Sequence, residues 1–190
     1  MTAEIQSRET VYAGYITVER VKVRLRTGET IEREMEGHGD AVAVLPYDAE
    51  RHRALVVRLP RVTALAKSGV AELEEACAGM IDDGNPEATC RREAMEELGL
   101  RLGALQAVAK VWPSPGVSTE QVTLYLAPYR LEDRVGSGGG AHGEHEEITV
   151  VERPLSALAC EADAGGIVDG KLLTLVLALR LRRPDLFDAA

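Results

Sequence analysis

The sequence lacks long apolar runs, paired cysteines and an excess of positive charge, and each absence excludes a class of protein. No apolar stretch approaches the roughly 20 residues that a membrane helix needs. The segment Met1–Ser7 contains Glu4 and no apolar core, so we expect no secretory signal. The three cysteines form neither a CxxC pair nor a zinc spacing, which favours free thiols in a reducing cytoplasm. A formal net charge of −9 argues against a nucleic-acid-binding protein.

The apolar residues that are present suffice for one compact core. Hydrophobic residues make up 45% of the 190 positions, which fits one domain or one domain plus a small lobe. Alternation over Val21–Leu25, a turn at Thr27-Gly28 and a return strand over Thr30–Met35 predict an antiparallel lobe within residues 10–36. Because His38-Gly39-Asp40 is a break, we assign 1–38 to this lobe and 39–190 to the main domain.

The rest of the chain mixes strand and helix patterns. A helix is predicted over Pro86–Leu98, because Asn85 suits its N-cap and Gly99 its C-terminal stop. Another is predicted over Gly170–Leu181, where apolar residues form one face. A short helix near Leu155–Cys160 and several strands complete the prediction. The strands are predicted at Ala41–Leu45, Ala54–Arg58, Val108–Trp112 and Gln121–Ala127. This mixture indicates an α+β domain or an α/β/α sandwich.

The helix Pro86–Leu98 concentrates acidic residues, and a predicted loop over Ala78–Gly84 leads into it. Residues four positions apart share a helix face, so Glu93 and Glu97 lie together with Glu96 at their margin. Carboxylate oxygens suit Mg²⁺ or Mn²⁺, and Mg²⁺ is usually held by one or two carboxylates together with substrate phosphates. The alternative for such a run of charge is a solvated helix face.

The segment Gly79–Leu100 resembles the Nudix box, a glycine loop followed by a helix with the pattern R-E-x-x-E-E-x-G-aliphatic. The resemblance implies a Nudix-type α/β/α sandwich with a mixed sheet, and a Mg²⁺-dependent hydrolase that could also use Mn²⁺. It implies metal ligands, a third carboxylate that acts in catalysis, and an arginine that holds the carboxylates. The implied metal ligands are Glu93, Glu97 and the Ala78 carbonyl. The third carboxylate is Glu96, and the arginine is Arg92.

The box departs from the family pattern at Asn85, where glutamate is usual. The spacing to Arg92 is also one residue shorter, as in the GDP-mannose pyrophosphatase branch of the family. The missing glutamate normally partners the box arginine, so Asp83 or Glu87 is expected to replace it. Asn85 has its own role as a helix cap.

Two further segments resemble parts of ADP-ribose pyrophosphatases that contact substrate. Around Trp112–Glu120 the chain is similar to their SPG segment, which implies substrate binding by Pro115 and Glu120; the prolines also suit a strand-end turn. The strand end at Val57–Arg61 implies that Arg58 and Arg61 bind phosphate or sugar. Surface ion pairs are the alternative for these arginines.

The glycine-rich stretch Val135–Gly143 is predicted to be a flexible loop. In the resembling enzymes the segment that follows supplies a metal-binding glutamate and a general base, which here are Glu146 and Glu144. The alternative is a solvated acidic loop. A zinc site at His142 and His145 is disfavoured, because no third histidine or cysteine is near.

The resemblance predicts a nucleoside-diphosphate sugar as substrate, with ADP-ribose, cleaved to AMP and ribose 5-phosphate, slightly ahead of GDP-mannose. The N-terminal lobe resembles the arm that these enzymes exchange between subunits, which implies a homodimer. A non-catalytic nucleotide-binding regulator on the same fold is the main alternative. A nucleic-acid cap hydrolase is disfavoured by the net charge of −9. We expect neither a nucleic-acid nor a membrane partner.

Overall fold

The computed structural model describes residues 2–82, 84–141 and 147–188. The chain divides into two compact units, Met1–Asp40 with Val111–Val122 and Ala41–Lys110 with Thr123–Ala190. The strands are β1 (Glu4–Ala13), β2 (Thr17–Arg24), β3 (Thr30–Gly37), β4 (Ala41–Asp48), β5 (Arg53–Pro60), β6 (Glu72–Glu75), β7 (Cys77–Met80), β8 (Gln106–Val111), β9 (Val122–Pro128) and β10 (Thr149–Pro154). The helices are α1 (Val62–Ser68), α2 (Pro86–Leu98), α3 (Leu155–Asp163) and α4 (Gly170–Arg182). No helix in the described ranges is long and apolar enough to cross a membrane.

The first unit contains an antiparallel sheet of β1, β2 and β3. The predicted hairpin of β2 and β3 is confirmed, and the turn between them contains Gly28 with a positive φ. The structure adds β1, which begins at Glu4, before the predicted lobe of 10–36. Every residue of β1 is exposed, so the strand has no apolar alternation by which the sequence would reveal it.

The second unit contains a mixed seven-stranded sheet, with the order β10-β5-β4-β9-β8. Strands β4 and β5 pair only at Tyr47–Ala54 and Asp48–Arg53, next to the hairpin that joins them. Further along, β6 pairs with β5 and β7 pairs with β4. The segment that crosses between the two strands passes through Ala76, which belongs to neither β6 nor β7. The predicted loop over Ala78–Gly84 is therefore wrong for its first three residues, which form part of β7.

Helices cover both faces of this sheet, as the sequence predicted. Helix α2 contributes Cys90, Ala94 and Leu98 to a core that includes Val42 and Val44 of β4. Alternation along β4 directs Ala43 and Leu45 to the opposite face, on which α4 packs. Helix α4 buries Leu172, Leu175, Val176 and Leu179. The predicted α+β class and the α/β/α sandwich are confirmed.

Candidate active site

Helix α2 begins and ends at the residues that its sequence predicts. The Asn85 side chain accepts a hydrogen bond from the Ala88 N–H at 3.1 Å, and Pro86 occupies the first helical position. Gly99 adopts the left-handed conformation with φ 63°, which glycine enters without strain. The buried residues Cys90, Ala94 and Leu98 determine the rotation of the helix, and with it the face that carries the acidic residues.

Arg92 contacts three carboxylates around the middle of α2. Its Nη2 lies 2.8 Å from Glu93 Oε1 and 3.3 Å from Asp82 Oδ2, and its Nη1 lies 2.8 Å from Glu96 Oε2. Asp82 thus takes the place of the missing box glutamate. The expectation for Glu87 is wrong, since Glu87 pairs with Arg91 at 3.2 Å, while Asp83 lies outside the described residues.

The Glu93 carboxyl group lies against the backbone of β7 at Gly79. A Cβ atom added to Gly79 would be 2.1 Å from Glu93 Cδ, a distance that real contacts do not allow. Any side chain at position 79 would therefore displace Glu93. Because Gly79 has no side chain, the carboxylate of Glu93 on the facing helix can lie against its backbone.

Glu97 points into the protein beside Ala78, the residue of β7 that precedes Gly79. It is 5% exposed, and its Oε2 accepts a hydrogen bond from the Ala78 N–H at 3.2 Å. The buried thiol of Cys77 also hydrogen-bonds to Glu97; burial, followed by the charge of Glu97, raises the pKa of Cys77 well above its usual value. The thiol therefore stays protonated and donates. Glu97 and the Ala78 backbone are adjacent, although sequence separates them by 19 positions.

The glycine-rich loop docks on the C-terminal end of α2. Gly139 N–H donates to the Glu97 carbonyl at 2.9 Å, and Gly140 N–H donates to the Glu96 carbonyl at 3.1 Å. Gly138 has φ +70°, and a Cβ there would lie 2.2 Å from the Glu97 carbonyl oxygen. The predicted flexible loop is thus fixed over its first half by backbone contacts. Glu144, Glu146, His142 and His145 lie outside the described residues.

The described part of this site offers oxygen ligands of the kind that Mg²⁺ prefers. Glu93 and Glu97 of α2 meet β7 at Gly79 and Ala78, the residue whose carbonyl is the third expected ligand. Among residues 2–82, 84–141 and 147–188 no group of three or more His, Cys, Asp or Glu side chains is arranged to hold a metal ion. Two carboxylates suffice for Mg²⁺ when substrate phosphates complete its coordination, so the donor set fits the ion.

Both arginines at the end of β5 form ion pairs. Arg58 Nη2 lies 2.5 Å from Glu74 Oε1, and Glu74 also pairs with Arg153. Arg61 binds Glu75 through two hydrogen bonds, of 2.6 and 2.9 Å. Each arginine side chain remains 44% exposed. Their role in substrate binding stays a prediction.

Arg61 belongs to a buried network that the sequence analysis missed. Glu75, which is 4% exposed, also accepts from Lys171 Nζ at 3.2 Å, and Lys171 Nζ lies 2.8 Å from Asp169 Oδ1. The pKa of Arg61 is raised, first by its hydrogen bonds to Glu75 and then by the charges of Glu75, Glu97 and Asp169, against the effect of burial. Arg61 therefore lies within electrostatic reach of Glu97. Glu75 and Lys171 are separated by 96 positions of sequence, so no local pattern could have revealed this network.

Pro115 and Glu120 lie in the first unit. Pro115 is part of a turn in which the Ser114 carbonyl accepts from Val117 N–H at 3.1 Å and from Ser118 N–H at 2.8 Å. Glu120 Oε1 is 3.6 Å from Nε2 of His38. The turn that the prolines favour is therefore present, while substrate binding by Pro115 and Glu120 stays a prediction.

Comparison with known proteins identifies the family. The NUDIX domain model matches residues 37–169. The chain is 38% identical over 160 residues to a GDP-mannose pyrophosphatase of Cronobacter sakazakii, with 83% of each chain covered. It is 34% identical over 179 residues to a GDP-mannose pyrophosphatase of Salmonella paratyphi B, with 92% of each covered. A crystal structure of an ADP compounds hydrolase shares the fold with a TM-score of 0.78 and 18% identity, over 97% of this chain and 96% of that one.

The carboxylate helix, its glycine partner and these matches lead to one assignment: the chain belongs to the Nudix family. It is a hydrolase, and the resemblance to the branch that contains the ADP-ribose and GDP-mannose pyrophosphatases is confirmed. The regulator alternative is thereby displaced, since Arg92, Glu93, Glu96 and Glu97 are all present.

Proposed function

We propose that this enzyme cleaves the pyrophosphate of a nucleoside-diphosphate sugar in a Mg²⁺-dependent reaction. The observation that supports the proposal most is the placement of Glu93 and Glu97 against Gly79 and Ala78. Glu93, Glu97, the Ala78 carbonyl and Glu146 would hold the ion. When bound, Mg²⁺ would neutralise pyrophosphate charge and acidify the attacking water, with Mn²⁺ as a substitute.

The protein groups divide the remaining work. Glu144 acts as the general base and takes the proton of the water whose oxygen forms a bond to one phosphorus, while the bond from that phosphorus to the bridging oxygen breaks. Arg92 holds Glu93 and Glu96 in place through contacts of 2.8 Å. The exposed parts of Arg58 and Arg61 bind the phosphates or the sugar. The products are a nucleoside monophosphate and a sugar phosphate.

The relatives bear on which nucleotide sugar is cleaved. Proteins that are 38% and 34% identical to this chain are named GDP-mannose pyrophosphatases, and the shortened spacing before Arg92 points to the same branch. The Pro115 segment favours ADP-ribose instead. We therefore place GDP-mannose first, to give GMP and mannose 1-phosphate, and ADP-ribose second.

The test is phosphatase-coupled phosphate release from GDP-mannose, ADP-ribose and other nucleotide sugars, with and without Mg²⁺. Glu93→Gln and Glu97→Gln should lower kcat/KM by about 100-fold or more, the scale of losing a group that stabilises transition-state charge. Glu87→Gln is the matched control, because Glu87 lies on α2 but is 59% exposed and pairs with Arg91. Full activity in Glu93→Gln or Glu97→Gln would refute the assignment, as would the absence of turnover on every compound.

We further propose that the protein forms a homodimer through the N-terminal lobe, residues 1–38. We also propose that the enzyme is cytoplasmic. All of β1 is exposed, including the apolar side chains of Ile5, Val11 and Tyr12, which is the composition of a surface that a second subunit would cover. Cys77, Cys90 and Cys160 are free thiols, which suits a reducing compartment. Light scattering at micromolar concentration should give twice the chain mass of 20.5 kDa; the mass of one chain would contradict the dimer.

A further inference from the structure

The backbone N–H of Ala76 lies at the point where the chain leaves one strand pairing and has not yet entered the next. Strand β6 pairs with β5 up to Glu75, and β7 pairs with β4 from Cys77 onward. Ala76 is 1% exposed, so water does not satisfy its N–H. A buried N–H without a partner is destabilising, and here Asp169 Oδ2 accepts its hydrogen bond at 3.2 Å.

The same carboxylate holds the first turn of α4. Asp169 is the N-cap residue, and it accepts hydrogen bonds from Lys171 N–H at 3.2 Å and from Leu172 N–H at 3.1 Å. Capping alone needs one acceptor. Asp169 is 8% exposed and binds α4, the crossing at Ala76 and the Lys171 ammonium group at once.

We propose that Asp169 is a positioning residue for the metal-binding edge of β7, an inference that rests on the function proposed above. Two residues after Ala76, the Ala78 N–H orients Glu97 at 3.2 Å, and the Ala78 carbonyl is an expected ligand. Fixing Ala76 to α4 fixes the chain immediately before both groups. Loss of this anchor lets Ala78 move and weakens metal binding.

Asp169→Ser separates the two duties of the carboxylate. A serine hydroxyl still caps α4, but its single oxygen on a shorter side chain does not serve the helix and Ala76 together. We expect Mn²⁺ affinity, measured by electron paramagnetic resonance without substrate, to fall by about tenfold, as for other residues that orient metal ligands. The Ala76 amide should exchange its hydrogen faster by nuclear magnetic resonance. Asp163→Ser is the control, because Asp163 pairs with Arg180 at 2.8 Å and is 61% exposed.

The results of these experiments can show whether the positioning role of Asp169, the proposed function, or both are wrong. Equal Mn²⁺ affinity in Asp169→Ser and the unaltered protein would overturn the positioning role alone. Mn²⁺ binding that depends on Asp169, with no turnover of any nucleotide sugar, would support the positioning role and count against the proposed substrate. A protein that binds no Mn²⁺ either alone or together with a nucleotide sugar would overturn both. If Asp169→Ser does not fold, Asp169→Asn, which keeps the size and one acceptor, is compared in the same way.

Discussion

Glu75 shows how much one buried side chain depends on its partners. Its carboxylate is 4% exposed and lies between Arg61 and Lys171. Burial is the largest single influence on its pKa and raises it, but the hydrogen bonds and charges of Arg61 and Lys171 together lower it below 4.5. The carboxyl group is therefore charged in the folded protein at a pH where it is already protonated in the unfolded chain.

This difference predicts an acid-dependent loss of stability. Because the folded pKa is the lower one, the contribution of Glu75 is fully present above pH 4.5 and is lost as the pH falls through the folded pKa. Glu75→Gln should remove that part of the pH dependence. It should also lower the free energy of unfolding at neutral pH by about 2 kcal/mol, since Arg61 loses its ion pair with Glu75 and Lys171 keeps only the one with Asp169. Urea unfolding from about pH 3 to about pH 7 measures both effects. The control is Glu132→Gln, measured over the same pH range, because Glu132 is exposed. If the free energy of unfolding of Glu75→Gln fell with decreasing pH as steeply as that of the unaltered protein, the prediction would be contradicted.

Single residues were predictable from sequence where their role depends on neighbours along the helix. Asn85 as a cap and Glu93 with Glu97 on one face follow from spacing alone. Asp82 as the partner of Arg92 did not follow, because adjacent acidic residues are equivalent until the loop is built. Asp169 was equally hidden, since it meets Ala76 across 93 positions of sequence.

At the scale of secondary-structure elements, the contact between the glycine-rich loop and α2 connects the acidic helix to the segment that carries the proposed base. The loop bonds to the carbonyls of Glu96 and Glu97, which are orphan acceptors at a helix end. It thereby supplies the C-terminal end of the helix with donors. It also fixes the point from which the chain leads toward Glu144, the proposed base.

Gly138→Ala should disturb this contact and reduce activity. The added Cβ would lie 2.2 Å from the Glu97 carbonyl oxygen, in addition to the strain of φ +70°. We expect kcat to fall by about tenfold or more, because misplacement of a catalytic segment is costly even at a small distance. Gly69→Ala is a close control: its φ is +72°, and nothing lies within 4 Å of the added atom. Equal kcat in the two variants would show that loop docking does not support catalysis.

Elements were predictable where they bury one face and end in capping residues. Helix α2 buries one face and is capped at both ends, and α4 buries one face and is capped by Asp169 at its start. The predicted bounds of both agree with the observed ones to within one residue at each end. Burial of one face fails for β1, which is exposed throughout, and for α1, which buries no residue. These two elements are held by backbone hydrogen bonds, which leave no apolar period in the sequence.

For the molecule as a whole, the fold class followed from the sequence, while the split of the sheet between β4 and β5 did not. That split depends on β6 and β7, each four residues long and too short to show a period.

The packing around this split also determines which thiols reagents can reach. Cys77 and Cys90 are buried on either side of the interface between β7 and α2, whereas Cys160 is exposed.

The native protein should accordingly expose one reactive thiol. Burial raises the pKa of Cys90 to about 12 and that of Cys77 well above its usual value, so neither forms the thiolate that reacts. Titration with a thiol reagent should modify Cys160 quickly and all three cysteines only after denaturation. Cys160→Ser should abolish the fast phase. A fast phase that persists in Cys160→Ser would contradict the buried placement of the other two.

Besides their side-chain partners, the carboxylates of Glu93 and Glu97 each lie against the main chain of β7. Gly79 and Ala78 stand on one side, and the backbone of the glycine-rich loop closes the helix end. Main-chain atoms are the same whatever residue evolution selects, so at Gly79 and Gly138 a substitution acts through the bulk that it adds. Variation at Arg58, whose ion pair is with Glu74, therefore leaves these backbone contacts unchanged, whereas Arg61 is constrained by the network that it forms with Glu75, Lys171 and Asp169.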